Sequence, residues 1–200
     1  MIRFFILAAG FITVPFAFAQ SQPAVGVFLD FDSVPGAASV EVMKHEVDSL
    51  LKGISLNWRM LSENQGNEPF AGLVVLRFKG KCKVEPWVQP SPGETRTLGA
   101  TQVVNGRVLP YSEVECDEVR RALAYLRPGA SPRERQKALG LALGRVVAHE
   151  LYHILAHTTA HAARGLAKAA ETLDDLISDK APMAFRAEDA AAMRQSLAAQ

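Results

Sequence analysis

The chain has 200 residues, with 22 basic and 21 acidic side chains and a net charge of +1 at neutral pH. With no basic block and no interleaving of basic and aromatic residues, this balance argues against a nucleic-acid partner. Beyond the N-terminal run, no apolar span suggests a membrane protein, and the length suits one domain with its own core.

Residues 1–19 read as a secretory signal peptide. Arg3 supplies the positive start, residues 4–18 are apolar, and Ala17-Phe18-Ala19 is a small-residue cleavage site. As a membrane anchor the run is too short, and Gly10 and Pro15 interrupt it. The expectation is one mature domain over 20–200, secreted or periplasmic, monomeric and with no membrane contact after cleavage. Removing Arg3 leaves 21 basic against 21 acidic residues. No propeptide is expected, because residues 20–35 lead directly into the first strand. Export places Cys82 and Cys116 in an oxidising compartment, where a disulfide is expected. Closing that loop is worth about 3–4 kcal/mol on the chain-entropy view.

In chain order, the β-rich run at 24–31 predicts a buried first strand. Val40, Met43, Val47, Leu50 and Leu51 recur at helical spacing, so 37–52 predicts a helix ended by Gly53. Leu56, Trp58 and Met60 alternate on one face of a strand at 55–61. A turn at 65–69 leads to a third strand at 73–78. Residues 84–99, rich in Pro, Gly and Thr, predict an exposed loop. The run 102–104, Asn105-Gly106 and 107–109 predicts a hairpin, since Asn-Gly tolerates the positive φ of a tight turn. Its place invites a role as a sheet-edge strand where an extended peptide can pair. A short helix is expected at 117–126 with Asp117 as N-cap.

Ser131-Pro132-Arg133-Glu134 combines an N-cap serine, a proline at the first helical position and a capping-box glutamate. It opens a long helix ending near residue 156 or 157. Gly140 and Gly144 lie one turn apart in it and imply close packing, because helical glycine otherwise costs about 1 kcal/mol. Leu166, Leu173, Leu176 and Ile177 suggest a short amphipathic helix, and 187–197 a terminal one. The fold class expected from this order is α+β, a mixed sheet with its functional helix placed late.

That helix carries His149-Glu150-Leu151-Tyr152-His153, an H-E-x-x-H match. Residues four apart share a helix face, so His149 and His153 can point two imidazoles at one ion. Glu150, about 100° further round, can reach a metal-bound water as a general base. Two nitrogen ligands, an adjacent base and an open position are the parts of a zinc hydrolase. The flanks (Leu139, Leu141, Leu143, Val146, Val147, Ile154, Leu155) are apolar, and a buried helix does not carry such residues without a partner for them.

A catalytic zinc wants a third protein ligand. His157 lies about 12 Å along the axis from His149, too far for one ion on a straight helix. It fits better as a helix-end residue or a hydrogen-bond partner of the ligands. His161 follows two β-branched threonines that can end the helix and turn the chain back, and it is favoured. Glu171 and Asp174 are the alternatives, from a second helix. Tyr152 points away from the ion as a packing residue, His45 is a surface residue, and His157 or Tyr111 is a candidate oxyanion partner.

Residues 149–161, H-E-L-Y-H-I-L-A-H-T-T-A-H, followed by Gly165-Leu-Ala-Lys168, resemble bacterial secreted zincin-like proteins with a pattern akin to the metzincins. The resemblance is local, over 145–170. It implies a zincin-like fold, with His149, His153 and His161 as zinc ligands and Glu150 as base. It departs from the metzincin pattern H-E-x-x-H-x-x-G-x-x-H: the third histidine comes two residues late and Thr159 holds its usual place. Ala156 replaces the turning glycine, and only Met183 could supply a methionine turn, although a core role suits it better. The expected function is a zinc-dependent endopeptidase acting on peptide or protein substrates. The rivals are a catalytically weak zincin that binds peptide or polysaccharide, and a structural zinc site closed by a fourth protein group.

Overall fold

A computed structural model describes residues 24–63, 69–85, 97–124, 129–169, 172–178 and 183–199. The expected signal peptide, most of the turn at 65–69 and Glu171 lie outside the described residues. Among those described, no helix is long and apolar enough to cross a membrane.

Five strands form one mixed sheet: β1 (Val25–Phe31), β2 (Leu56–Met60), β3 (Gly72–Lys79), β4 (Gly99–Val104) and β5 (Arg107–Glu115), in the order β2-β1-β3-β5-β4. β2, β1, β3 and β5 are mutually parallel, and β4 runs antiparallel to β5 at one edge. Period-two alternation decides what each face does. Val25, Val27 and Leu29 of β1, Val74, Leu76 and Phe78 of β3, and Val114 of β5 point into the core. Arg77, Lys79, Glu113 and Glu115 line the opposite face and pair across it, Arg77 with Asp30 at 2.8 Å and Lys79 with Glu115 at 2.9 Å.

The helices are α1 (Ala37–Leu50), α2 (Cys116–Leu123), α3 (Pro132–Leu155), α4 (Leu173–Ile177) and α5 (Ala187–Ala198). The expected capping box opens α3, with Glu134 accepting from the Ser131 amide at 2.7 Å. From Ala138 to Leu155 every α3 residue except His149 is buried. Gly140 and Gly144 face α1 so closely that a Cβ on Gly140 would lie 2.5 Å from the Val42 Cβ and 2.7 Å from the Ser39 carbonyl. At Gly144 it would lie 2.8 Å from the Glu46 Cβ. These glycines set how near the two helices approach. Arg145, also buried, pairs with Glu46 of α1 at 2.9 Å and donates to the Asp175 and Ser178 carbonyls, tying α4 to α3.

Cys82 and Cys116 form the expected disulfide, with Cα atoms 5.1 Å apart and a sequence separation of 34. It joins the segment after β3 to the first residue of α2, and for a loop of that size it stabilises by about 4 kcal/mol on the chain-entropy view.

Three expectations change. Asp117 lies in the first turn of α2 rather than at its cap, since the helix starts at Cys116. There its carboxylate accepts from Arg120 at 2.8 Å, an acidic group at the positive helix end. The stretch 84–99 is not an exposed loop throughout: Val84 is buried, Leu98 packs on the core, and Gly99 opens β4; residues 86–96 lie outside the described part. The hairpin turns at Asn105 (φ 51°) and Gly106 (φ 76°) as expected, but β5 runs well past 109. Pro110 is tolerated inside it because the β4–β5 register shifts there and pairing with β3 begins only at Tyr111.

Candidate metal centre

The last two turns of α3 and the chain after it bring His149, His153 and His161 together. One nitrogen from each lies within 4.8 Å of the others. The His149 and His153 rings come from one helix face and sit 4.8 Å apart, with the His161 ring 5.3 Å from the first and 4.8 Å from the second.

The hydrogen bonds identify what this cluster lacks. His149 Nδ1 lies 2.8 Å from the Leu166 carbonyl, and His153 Nδ1 lies 2.8 Å from the Thr158 carbonyl. A carbonyl only accepts, so both Nδ1 atoms carry the proton. Burial lowers both imidazole pKa values and favours the neutral rings, outweighing the two carbonyl bonds. The two Nε2 atoms, 3.0 Å apart, then face one another as bare lone pairs. Neither can donate to the other. Two lone pairs aimed at one point are what a cation satisfies, and an Nδ1–H held by a carbonyl is how a metal-binding histidine is oriented. The residues present therefore fit a metal ion, with His161 as third donor. Among the described residues the donor set is these three.

The chain turns back to His161 close to where the helix is expected to end: α3 stops at Leu155, and His157 takes the left-handed conformation at φ 48°. The Thr158 amide donates to the His153 carbonyl at 3.1 Å and the His157 amide to the Ile154 carbonyl at 3.2 Å. This is the Schellman arrangement, with a histidine where glycine is usual. The same reversal presents the Thr158 carbonyl to His153. His157 itself is exposed and outside the donor cluster, a helix-end residue.

Glu150 is only 4 % exposed. Thr101 Oγ1 on β4 lies 2.6 Å from Glu150 Oε2, 3.3 Å from the Glu150 carbonyl and 2.6 Å from Ser112 Oγ on β5. Burial raises the Glu150 pKa, against the Thr101 hydrogen bond and the nearby imidazoles, which favour the charged form. The carboxylate thus lies between the helix and the sheet edge, beside the imidazoles and outside the donor set.

The centre opens into a cleft of about 440 Å³. Leu98, Ala100, Val103 and Val108 form its sheet wall, and Thr159 and Lys168 line the other side. Lys168 is held by an ion pair with Asp175. Burial pushes the Asp175 carboxyl up, but that pair and the Thr172 hydrogen bonds outweigh it and hold it at about 2.

Other expected residues fall elsewhere. Tyr111 is not an oxyanion partner: its hydroxyl donates to Glu113 at 3.3 Å, and it does not line the cleft. Tyr152 packs as expected, its ring 5.3 Å from that of His153 and 5.7 Å from that of Phe185. Met183 is buried in the core, next to Ala184, whose carbonyl accepts from the Leu166 amide at 3.0 Å. That bond steadies the peptide that holds His149. Asp174 and His45 are exposed and outside the donor cluster.

Sequence reading missed Gly99, Thr101 and Ser112, which touch the site from the sheet across 49 residues of chain in the case of Thr101. A Cβ on Gly99 would lie 2.8 Å from Glu150 Oε1. No local pattern announces such contacts. No protein-family model matches the chain, and neither does any curated protein or solved structure.

Proposed function

We propose that the chain is a zinc-dependent endopeptidase of zincin-like fold, exported from the cell and acting on peptide or protein substrates. The observation that carries this reading is the pairing of two facing, unprotonated Nε2 atoms with an adjacent buried carboxylate at the wall of an open cleft. A three-histidine set suits zinc and leaves a coordination position for water or substrate, which a structural site would close with a fourth donor.

Bound there, zinc supplies Lewis acidity that brings a water towards a pKa near about 7 and polarises a carbonyl. Glu150 accepts a proton from the attacking water as the water oxygen bonds to the peptide carbon. It then delivers that proton to the leaving nitrogen as the C–N bond breaks, so the carboxylate is regenerated. β4 contributes positioning. It is the antiparallel edge of the sheet and runs along the cleft, so its outward amides and carbonyls can pair with an extended substrate backbone. The cleft walls are mainly apolar and threonine-rich.

The test compares zinc-loaded wild type with Glu150→Gln on an unfolded protein substrate. The expected outcome is cleavage by the wild type and a loss of at least about 100-fold in the variant, the scale of a general base, at equal zinc content. If both hold one zinc and neither cuts a broad panel, the peptidase reading falls and a metal-bearing peptide or polysaccharide binder takes its place.

A further inference from the structure

The hydroxyl pair behind Glu150 has no part in zinc binding, yet it is built into the site. Ser112 is fully buried on β5 and its hydroxyl meets Thr101 on β4, whose hydroxyl meets Glu150. Each hydroxyl has one proton to donate. With Glu150 ionised the chain can run only one way: Ser112 donates to Thr101, and Thr101 donates to Glu150 Oε2. The alternative acceptor for Thr101, the Glu150 carbonyl at 3.3 Å, is the poorer one beside the carboxylate oxygen at 2.6 Å. The Thr101 amide also favours the charged carboxylate, so this one residue addresses Glu150 through backbone and side chain. Oε1 rests against Gly99, where any side chain would displace it.

From this geometry we infer that Thr101 is a positioning residue for Glu150. It holds Oε2 as a permanent acceptor and so fixes the orientation in which the carboxylate meets water. The carboxylate would otherwise rotate about its terminal torsion, which is broad and roughly two-fold. A fixed oxygen keeps the base in one geometry, and misplacement of a reacting group is costly. Because Thr101 belongs to the edge strand, the strand offered to substrate backbone is also the strand that aims the base. Ser112 orders the Thr101 hydroxyl from behind, with no contact to the cleft of its own. The inference deepens the peptidase reading and rests on it for its catalytic half.

The experiment uses the zinc-loaded mature chain as wild type, Thr101→Val, Thr101→Ser and Ser112→Ala. It reads zinc stoichiometry, thermal midpoint, kcat and KM on a cleaved peptide, and the Kd of acetohydroxamate, whose hydroxyl needs an oriented carboxylate acceptor. Thr101→Val keeps the β-branched shape and loses the donor. The expected result is one zinc per chain in every variant, with Thr101→Val losing about 10- to 100-fold in kcat at little change in KM, within the share a positioned base contributes. Hydroxamate binding should weaken in parallel, Thr101→Ser should restore both to within about 3-fold, and Ser112→Ala should fall between. Wild-type kcat and Kd in Thr101→Val, or a folded Thr101→Ser that fails to rescue, overturns the inference. If the wild type binds hydroxamate but cleaves nothing, the peptidase reading fails, and the Kd series still decides whether Thr101 positions Glu150.

Discussion

The two halves of α3 are made of the same backbone and put to opposite uses. Over Gly140 and Gly144 the helix strips its surface bare, so that α1 can approach to within contact of its backbone. Further along it projects His149, Glu150 and His153, of which Glu150 and His153 are buried nearly as deeply as the leucines around them and His149 is half-buried. The first half gains stability from close packing. The second carries two lone pairs aimed at each other and a desolvated carboxylate, which favour folding only when something charged satisfies them. The packing of the first half holds the second at a fixed pitch against the sheet edge. The cost of the site is thus carried by a region with no chemistry.

The sharpest way to separate the halves is to remove a donor. His153→Ala should weaken zinc binding by more than about 100-fold, beyond the roughly 10- to 100-fold cost of an outer hydrogen-bond partner. The metal-free chain should keep its denaturation midpoint or gain slightly, as one facing lone pair is gone; calorimetric zinc titration beside urea unfolding reads both. Gly140→Ala should do the reverse. Helix propensity gains about 1 kcal/mol, but the new methyl meets the Ser39 backbone, and overpacking costs about 1–3 kcal/mol. The net should be a midpoint several degrees lower, at about 2–4 °C per kcal/mol for a chain of this size, with zinc stoichiometry unchanged.

Acid should act on the second half alone. Burial lowers the His149 and His153 pKa values in the folded metal-free chain, so below an unfolded value near about 6.5 the unfolded chain binds more protons. The stability these residues provide is present above that pH and is lost as pH falls below it. Glu150 runs the other way, because its raised pKa makes the folded chain take up a proton first. Urea midpoints at pH 7.5 and 5.5 should therefore fall with acid in the metal-free wild type and fall more steeply in Glu150→Gln. The smallest effect belongs to the turn after the helix. His157→Gly removes a side chain from a left-handed position and should stabilise by up to about 1 kcal/mol, leaving zinc affinity within about 2-fold, since His157 is outside the donor set.

Legibility follows the same division. The capping box at Ser131, the H-E-x-x-H face, the Asn105-Gly106 turn and the close packing at Gly140 and Gly144 are all properties of residues near one another in sequence, and the fold carries each of them. The Cys82–Cys116 bond is the pairing expected of the only two cysteines in the chain, and the structure contains it. His161 was the favoured third donor, and it joins the cluster. The turn leading to it is only partly legible: β-branching at Thr158 and Thr159 indicates where the helix stops, but not that a histidine takes the positive-φ position.

The chain's periodicity and turn residues determined by themselves β1, β2, β3, the hairpin turn, α1 and α3, though not the length of β5, and they singled out His149, Glu150 and His153 with His161 favoured beside them. These are one-dimensional properties, set by side-chain spacing against fixed repeats of 3.6 and 2 residues. Only the tertiary structure decided the antiparallel edge at β4, the carbonyls of Thr158 and Leu166 that fix the imidazole tautomers, and the Thr101 and Ser112 hydroxyls behind Glu150. Those contacts join α3 to strands and turns that no local repeat relates to it. Their geometry exists only once the core has closed and brought the helix against the sheet.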